Sequence, residues 1–458
     1  MKKLVILLLS LVLAAGCAFT VYSLAKSGGN GSGSGATIDR PDKSDENNDN
    51  TDGSGETPDD TQREESPAED PTEERTYTVV DLTDRGNVYC FDQSLSFERI
   101  QQTDIVPELT SEIEFMGLDD ESVRFPASDG KGTYFSSKNG VLQVYRSALF
   151  KLLKISVQTP SVYGENLRIR LYTAEGKAYD VKVDIATKVI YDAEQLASMC
   201  VVNKKTLDGY YVLGDDIYCA ELSSPVMLVR YDSYVPGVDI TAEEVDKCGF
   251  KGIFDGRGHV IYDALTACPY NRLGGFFGNV VEGGLVRDVA FVRLGTTNDL
   301  PRTGETARLN CVNLLTGESR IVGGSFENVV VTASENAAGA KLFGRLYSET
   351  ATIKNLVAVG VHQINFDEEW TSASKDQNKA KIENVISVTG NALYHSYGGF
   401  GKNDDNAMLP CPNYKTVNAM IDALSARNTI EGWNSEYIAF DGTKKELTFN
   451  GKTFATKN

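Results

Sequence analysis

Apolar and polar positions repeat in one pattern four times between residues 286 and 388. Each repeat opens with an apolar residue, has Asp or Asn two positions later, and continues at once with Val or Leu. Asp and Asn tolerate a left-handed backbone and cap their own turns, so each repeat predicts a strand that bends and then resumes. The bend residues are Asp288, Asn328, Asn355 and Asn384.

Repeats of one strand and one turn predict coils stacked on one another in a parallel β-helix, an all-β fold. Stacked strands lie about 4.8 Å apart, so apolar side chains form columns and the Asn amides form a hydrogen-bonded ladder. The pattern leaves open whether the second or the third residue after the bend faces inward, because Val357 and Ala358 suit either side. The alternative is four unrelated strands with Asn-rich turns.

Other segments carry a family resemblance. Residues 207–217 and 250–261 resemble the opening coils of bacterial surface proteins with GLUG-type repeats. Gly-Phe turns at 275–278, 342–344 and 398–401 are similar to the turn that precedes the Asn strand in that family. The resemblance spans about residues 188 to 440 and implies a right-handed, pectate-lyase-like β-helix. The number of coils stays open because the repeats are unevenly spaced.

The N-terminus predicts export. After two lysines, residues 4–25 are uncharged and mostly apolar, long enough as a helix to cross a bilayer. Residues 14–17 resemble the lipobox of bacterial lipoproteins, which makes Cys17 a candidate for lipidation. We therefore expect a signal or membrane anchor over residues 1–26, with a lipoprotein, an uncleaved anchor and plain secretion as the alternatives.

Residues 27–75 predict a disordered acidic linker. This segment has 15 acidic and 4 basic residues and no apolar periodicity, so it cannot bury a core. It supplies much of the net charge of −19, and so acidic a chain argues against nucleic acid as a partner. We interpret the linker as a solvated stalk.

Residues 76–188 predict a small immunoglobulin-like β-sandwich. Alternating residues over 167–171 and 181–185 are typical of a half-buried antiparallel hairpin. The strands expected here are residues 77–82, 112–117, 152–158, 167–172 and 179–185.

Residues 189–458 are assigned to the β-helix. A short helix from Asp192 to Met199 is expected to cover its open end, with Asp192 as the N-cap. A helix over 416–427 and a hairpin over 437–449 are expected to cap the final coil.

The candidate chemistry is sparse, and we predict no catalytic, cofactor or metal site. The eight cysteines favour buried thiols over disulfides such as one between Cys200 and Cys219. Carboxylates such as Asp255 are too abundant for the sequence to show which of them converge. Aromatic residues are better binding candidates, above all Tyr210, Tyr211 and Trp370, with Tyr218 among the others.

These patterns favour a non-enzymatic adhesin that is tethered to the membrane through its N-terminus. It would lie on the extracellular face of the cytoplasmic membrane or at the cell surface and bind a glycan or a host protein. The alternatives are a secreted polysaccharide lyase or glycoside hydrolase on the same scaffold, and a structural spacer of the cell envelope.

Overall fold

The computed structural model describes residues 75–96, 99–118, 124–156, 163–202, 206–230, 249–266, 275–297, 313–316, 324–337, 340–343, 351–361, 381–388, 413–426 and 436–454. Strands predominate over helices in these ranges, which confirms the all-β prediction. No helix within them is long and apolar enough to span a membrane. The predicted anchor and linker, Cys17 and Trp370 lie outside the described residues.

The N-terminal region consists of two sheets and a helix around one core. The larger sheet has the order β1-β9-β8-β4-β5, with β2 also beside β9, and the smaller sheet has the order β3-β7-β6. Strands β8 and β9 form the predicted antiparallel hairpin, whereas β1 and β2 run parallel to β9. The elements are β1 (Thr78–Asp81), a 3-10 helix (Thr83–Arg85), β2 (Asn87–Asp92), β3 (Gln101–Asp104), β4 (Ile113–Leu118), β5 (Arg124–Pro126), β6 (Phe135–Lys138), β7 (Val141–Val144), α1 (Arg146–Ser156), β8 (Gly164–Thr173) and β9 (Lys177–Ala186).

The strand predicted at residues 152–158 is wrong, because residues 152–156 belong to α1. Ala148, Leu149, Leu152 and Leu153 are buried in the core of this region. Their spacing places them on one face of a helix, and this face packs against the sheets.

The rest of the described chain is a stack of parallel strands. Strand β9 passes through Thr187 directly into the first stacked strand, so one continuous segment joins the two regions. The main sheet has the order β10-β12-β15-β18-β20-β22-β23-β24. The elements are β10 (Lys188–Ile190), α2 (Ala193–Ala197), β11 (Val201–Val202), β12 (Tyr210–Leu213), β13 (Ile217–Tyr218), β14 (Val229–Arg230), β15 (Ile253–Asp255), β16 (Val260–Tyr262), β17 (Leu265–Thr266), β18 (Leu285–Thr296), β19 (Asn313–Thr316), β20 (Ser325–Ala333), a 3-10 helix (Glu335–Ala337), β21 (Lys341–Phe343), β22 (Thr352–Val359), β23 (Lys381–Val388) and β24 (Asn413–Tyr414).

The four Asx residues form the ladder that stacking of the repeats predicts. Their φ angles lie between 53° and 54°, in the left-handed region. Asn328 donates to Asp288 at 2.7 Å, Asn355 donates to Asn328 at 2.9 Å, and Asn384 donates to Asn355 at 3.0 Å. Each side chain thus ties one coil to the preceding one, and the ladder fixes the register of the strands on both sides of the bend.

The register also answers which residues face inward. The first and third residues after each bend, such as Val329 and Val331, lie in the interior cluster of the stack. The second residues, such as Val330 and Val357, lie on the opposite face in a separate apolar cluster. Both faces of the strand segments after the bend are therefore covered.

A short helix closes the first end of the interior, as predicted. Asp192 is the N-cap of α2 and accepts a hydrogen bond from the Gln195 backbone at 2.7 Å. Leu196 and Met199 are buried in the interior cluster of the stack. The helix therefore places apolar side chains over an opening that the first coil would otherwise leave to water.

The predicted C-terminal cap is wrong in its location. Helix α3 (Val417–Ala426) and the sheet of β25 (Ile438–Asp441), β26 (Glu446–Phe449) and β27 (Lys452–Thr453) pack against the flank of the stack. The apolar cluster there joins Met420 and Phe449 to Val260 and Ile386, which belong to widely separated coils. Second residues after the bend are apolar in every repeat, so this flank needs a cover that the coils do not supply.

Charged side chains form a column on the outer face of the strand segments before each bend. Parallel pairing aligns Asp255 with Arg287, Arg287 with Glu327, Glu327 with Lys354, and Lys354 with Glu383. The sign of the charge alternates at every rung. Opposite charges on adjacent strands attract, and a shift of one coil past its neighbours would disrupt this pattern.

We expect Asn355→Ala to lower the free energy of unfolding by about 2–4 kcal/mol. The alanine loses the tolerance for a left-handed backbone, and it removes the hydrogen bonds that the buried Asn355 amide makes with the half-buried Asn328 and Asn384. Urea denaturation measures this change. The matched control is Asn139→Ala, at an exposed turn residue with φ of 53°, which we expect to cost about 1 kcal/mol. Equal losses in the two variants would contradict a stabilising ladder.

We expect Lys354→Glu to lower the free energy of unfolding by about 1 kcal/mol, because it places three carboxylates on successive rungs. Raising the salt concentration should shrink this loss by screening the repulsion. Urea denaturation at low and high salt tests both points. Lys354→Gln is the neutral control, and the double variant Lys354→Glu with Glu383→Lys should recover part of the loss. A loss that salt and the second substitution leave unchanged would refute the charged column.

Candidate functional site

Two of the aromatic residues predicted to bind ligands are buried, so that prediction is wrong for both. Tyr210 is fully buried and Tyr211 is 7% exposed. Strand β12 is covered on both faces, with Tyr211 packed against Phe250 in the interior and Tyr210 beside Tyr163 of the N-terminal region. Neither ring is available to a ligand in solution.

The Tyr210 hydroxyl instead belongs to a buried ionic cluster between the two regions. It lies 3.0 Å from Asp184 Oδ2 and 3.2 Å from Asp255 Oδ2. Asp184 is fully buried and accepts hydrogen bonds from Asn87 Nδ2 at 2.8 Å and from the Asn166 backbone at 2.7 Å. Its remaining partner is Arg257, with which it forms an ion pair. The cluster thus links the end of β9 to the first coils of the stack.

Arg287 extends this cluster to the outer face of the stack. Its guanidinium donates to Asp255 at 2.8 Å and to Glu165 at 2.9 Å. Burial disfavours the charge on Arg287, but Asp255 and Glu165 raise the pKa of this guanidinium overall. Each carboxylate named here already has an arginine partner. This arrangement holds the two regions together, since removal of one partner from a buried pair leaves an uncompensated charge.

Asp288 differs from the other carboxylates of this cluster. Burial raises its pKa to about 6, although the Asn328 amide hydrogen bond and the Arg287 charge favour the ionised form. The Arg287 Nε atom is 3.8 Å from Asp288 Oδ2, and the Asp288 side chain is 16% exposed. A carboxyl group with such a pKa exchanges protons near neutral pH. The sequence predicted only a structural role for this residue.

The most exposed aromatic surface lies on a different part of the stack. Tyr218 is 64% exposed, and its ring stacks on Tyr262 with 4.8 Å between centroids and 8° between planes. The two residues are paired on the adjacent strands β13 and β16, so the backbone fixes the ring spacing. Parallel strands with rigid, partly exposed tyrosines form a flat surface against which sugar rings can pack.

Charged groups border this aromatic surface. The guanidinium of Arg293 lies over the Tyr262 ring, 5.7 Å from its centroid. Asp263 holds it by two hydrogen bonds of 2.6 Å. Arginine and carboxylate groups beside aromatic rings supply the donors and acceptors that sugar hydroxyls need. We define the aromatic surface as Tyr218, Tyr262, Asp263 and Arg293.

His259 ends the tight turn that begins at Gly256, and its backbone donates to the Gly256 carbonyl at 2.8 Å. Its Nδ1 atom is 3.3 Å from Asp216 Oδ1, and the Val260 backbone donates to the same carboxylate at 3.0 Å. Lys452 of the C-terminal hairpin binds Asp216 as well, with 2.6 Å between Nζ and Oδ2. Asp216 therefore anchors the hairpin to the flank of the stack.

The described cysteines, Cys90, Cys200 and Cys219, form no disulfide bonds with one another. The alternative of a bridge between Cys200 and Cys219 is therefore wrong. Cys219 lies in the interior cluster, as expected of a buried thiol. Burial raises its pKa to about 12, which keeps the thiol protonated and unreactive.

Comparison of the chain with protein-family models, with curated proteins and with solved structures found no match. Sequence reasoning selected Tyr218 but did not select Tyr262, Asp263 or Arg293. A usable signal for Tyr262 was present, because the tyrosine lies at the end of a strand that repeats the pattern of residues 217–218. Arg293 and Asp263 meet only through stacking of coils and could not be paired beforehand.

We expect Asp288→Asn to change how stability depends on pH. Burial raises the pKa of Asp288 from 3.8 to about 6, so the folded state binds the proton more tightly than the unfolded state. Ionisation therefore destabilises the fold as pH rises from 4 to 6. This loss amounts to about 2–3 kcal/mol and persists above pH 6.

The measurement is urea denaturation of both proteins at pH 4 and pH 7.5. The unfolding free energy of the variant relative to the natural protein should rise by about 2–3 kcal/mol between these values. Asp263→Asn, at a more exposed carboxylate, is the control and should show a much smaller change. A pH-independent difference for Asp288→Asn would show that burial does not perturb this carboxyl group.

Proposed function

We propose that this protein is a non-enzymatic cell-surface protein that binds glycans through the aromatic surface. The observation that supports this is the stacked pair of Tyr218 and Tyr262, with the Tyr218 ring 64% exposed on a rigid strand. Aromatic rings bury much area at small entropic cost and suit the apolar faces of sugars. Arg293 and Asp263, locked in one geometry, supply the polar contacts.

We propose further that the stack is a right-handed parallel β-helix related to GLUG-type, pectate-lyase-like surface proteins. The parallel order of its main sheet and the Asx ladder support this proposal. The Gly-Phe turn at 275–278 also stacks, since Phe276 and Phe277 donate to Leu314 and Leu315 of the next coil. A loop of this kind at one position of successive coils is expected of such a repeat.

For residues 76–188 we propose a small β-sandwich, with residues 189–458 as the β-helix domain. The shared core of two sheets and a helix supports the sandwich. The immunoglobulin-like assignment rests on the antiparallel strands β4, β8 and β9. Parallel pairing of β1 and β2 with β9 departs from the antiparallel sheets of that class.

We propose that the N-terminus tethers the protein to the membrane, on its extracellular face. Two lysines before an apolar segment, and the lipobox-like residues that end at Cys17, support export followed by anchoring. The acidic residues 27–75 would then act as a stalk that presents the folded part to a glycan or protein on another surface. Such tethering suits a binding protein better than a diffusing enzyme.

A second candidate function is polysaccharide cleavage at the acidic cluster. The observation in its favour is the carboxyl of Asp288, which has a pKa of about 6 and is near Asp255 and Arg287. Paired carboxylates that differ in pKa are the groups that glycosidases use. Release of reducing ends or of unsaturated uronates, abolished by Asp288→Asn, would favour this function over binding alone.

We expect Tyr218→Ala to weaken binding to the glycans that the protein selects on a glycan array by about tenfold or more. Loss of one stacked ring costs about 1–3 kcal/mol in comparable aromatic recognition. Tyr218→Phe is the matched control and should keep most of the affinity, because it keeps the ring. Array binding followed by calorimetry on the best glycan measures both. Undiminished binding by Tyr218→Ala would show that the aromatic surface is not the glycan-binding site.

A further inference from the structure

A cavity lies where the N-terminal region meets the first stacked strand. It has a volume of about 480 Å³, within the usual range for small-molecule sites. Its walls come from the end of β2, from β3 and from the residues that join β10 to α2. The cavity shares no residue with the aromatic surface or with the ionic cluster around Arg287.

The cavity is positively charged in a chain whose net charge is −19. Arg99 and Lys188 line it, and Asp92 is the single carboxylate among its described lining residues. Asp92 is 5% exposed, and its two oxygens accept hydrogen bonds from the backbone of Ser94 at 2.7 Å and of Val189 at 3.0 Å. The Asp92 carboxylate is used in these two backbone hydrogen bonds. Arg99 and Lys188 carry two positive charges against its one negative charge, so the cavity lining has a net positive charge.

Both cations have hydrogen-bonding capacity to spare. Arg99 is exposed and forms no ion pair with any described residue. Lys188 donates to the Gln195 carbonyl at 3.1 Å and to Ser198 Oγ at 2.8 Å, which leaves one of its three ammonium hydrogens. A guanidinium and an ammonium with such capacity bind a carboxylate well, and the arginine can do so with two parallel bonds.

Tyr191 gives the cavity an aromatic wall. Its ring is 56% exposed, and its backbone donates to Gln195 Oε1 at 2.9 Å. The ring lies against Gly214, where an added Cβ would come within 2.3 Å of it. The absence of a Cβ at Gly214 therefore leaves room for the Tyr191 ring in this position. The backbone of Tyr191 on one side and of Gly214 on the other holds the ring there.

The rest of the lining combines amide and hydroxyl groups, including Gln102, Thr103 and Gln195, with the apolar residues Phe91, Leu95 and Val189. Burial raises the pKa of the Cys90 thiol to about 12, so the lining contains no reactive thiolate. Amides, hydroxyls and one aromatic wall match the hydroxyls and the apolar face of a sugar ring. The Phe91 and Val189 side chains are buried in the fold, so they offer little apolar surface to a hydrophobic peptide or lipid.

We propose that this cavity binds a sugar acid, a single pyranose ring that carries a carboxylate. Arg99 and Lys188 would bind the carboxylate, Tyr191 would pack against the ring, and the amides would bind its hydroxyls. The site does not depend on the aromatic surface, so either proposal can fail without the other.

The experiment is calorimetric titration of the purified full-length protein with D-glucuronate and D-galacturonate. Glucose and galactose test the need for the carboxylate, and acetate tests the need for the sugar. We expect saturable binding of at least one uronate with a Kd of about 1 mM or lower. Affinities for the neutral sugars and acetate should be at least tenfold weaker.

Substitutions inside and outside the cavity test whether the uronate binds there. Arg99→Gln and Tyr191→Ala should each weaken uronate binding about tenfold, whereas Arg293→Gln at the aromatic surface should leave it unchanged. Both altered side chains are exposed, so we expect these variants to fold. Failure of both uronates to bind, equal binding of acetate, or full binding by Arg99→Gln would each overturn the proposal. An effect of Tyr218→Ala on array binding but not on uronate binding would show that the two sites are independent.

Discussion

The left-handed bend at one Asx residue in each of four successive coils is the constraint on which the stacked region depends. A side chain at this bend both permits the backbone turn and bonds to its counterpart in the preceding coil. Strand side chains alternate between two faces, so a slip of one residue would exchange interior and exterior along the whole coil. The ladder opposes that slip with partly buried hydrogen bonds, and the alternating charges of Arg287, Glu327 and Lys354 oppose it on the outer face.

The same register creates a surface that the coils cannot cover by themselves. Second residues after each bend point outward and are apolar, so the C-terminal helix and hairpin fold back along the flank to bury them. The cover ends toward the first coils. Val292 is 6% exposed, its neighbour Tyr262 is half-buried, and Tyr218 on the next strand is 64% exposed. The exposed aromatic rings thus continue a column whose other members are buried or half-buried.

Features encoded by local chemistry were predictable from the sequence, and features that depend on distant packing were not. The Asx bends and the Asp192 N-cap follow from side chains that act on their own backbone, and the ladder follows from repetition of the bends in stacked coils. The segment 152–158 fits both a strand and a helix, and only contact of Leu152 with the sheets decides between them. Tyr210 looked available because an apolar run does not reveal that a second region covers its outer face. The alternating charges occupy the second position of every repeat in the sequence. Which of them are neighbours could not be predicted, because that depends on the register of the strands.

Residue 288 is Asp, whereas the other three residues of the ladder are Asn. The geometry of the ladder gives a chemical reason for this difference. Asn328 and Asn355 each donate one hydrogen bond to the coil before and accept one from the coil after. The coil before Asp288 has Gly256 at this position, where a Cβ would come within 2.4 Å of the Asp288 carbonyl oxygen. An amide at 288 would therefore have no side-chain acceptor in that coil, whereas a carboxylate needs only to accept. Arg287 partly compensates the charge, and burial raises the pKa of Asp288 to about 6. At the end of the ladder, the lack of an acceptor in the preceding coil thus favours a carboxylate. The free-energy cost of burying a charge opposes it.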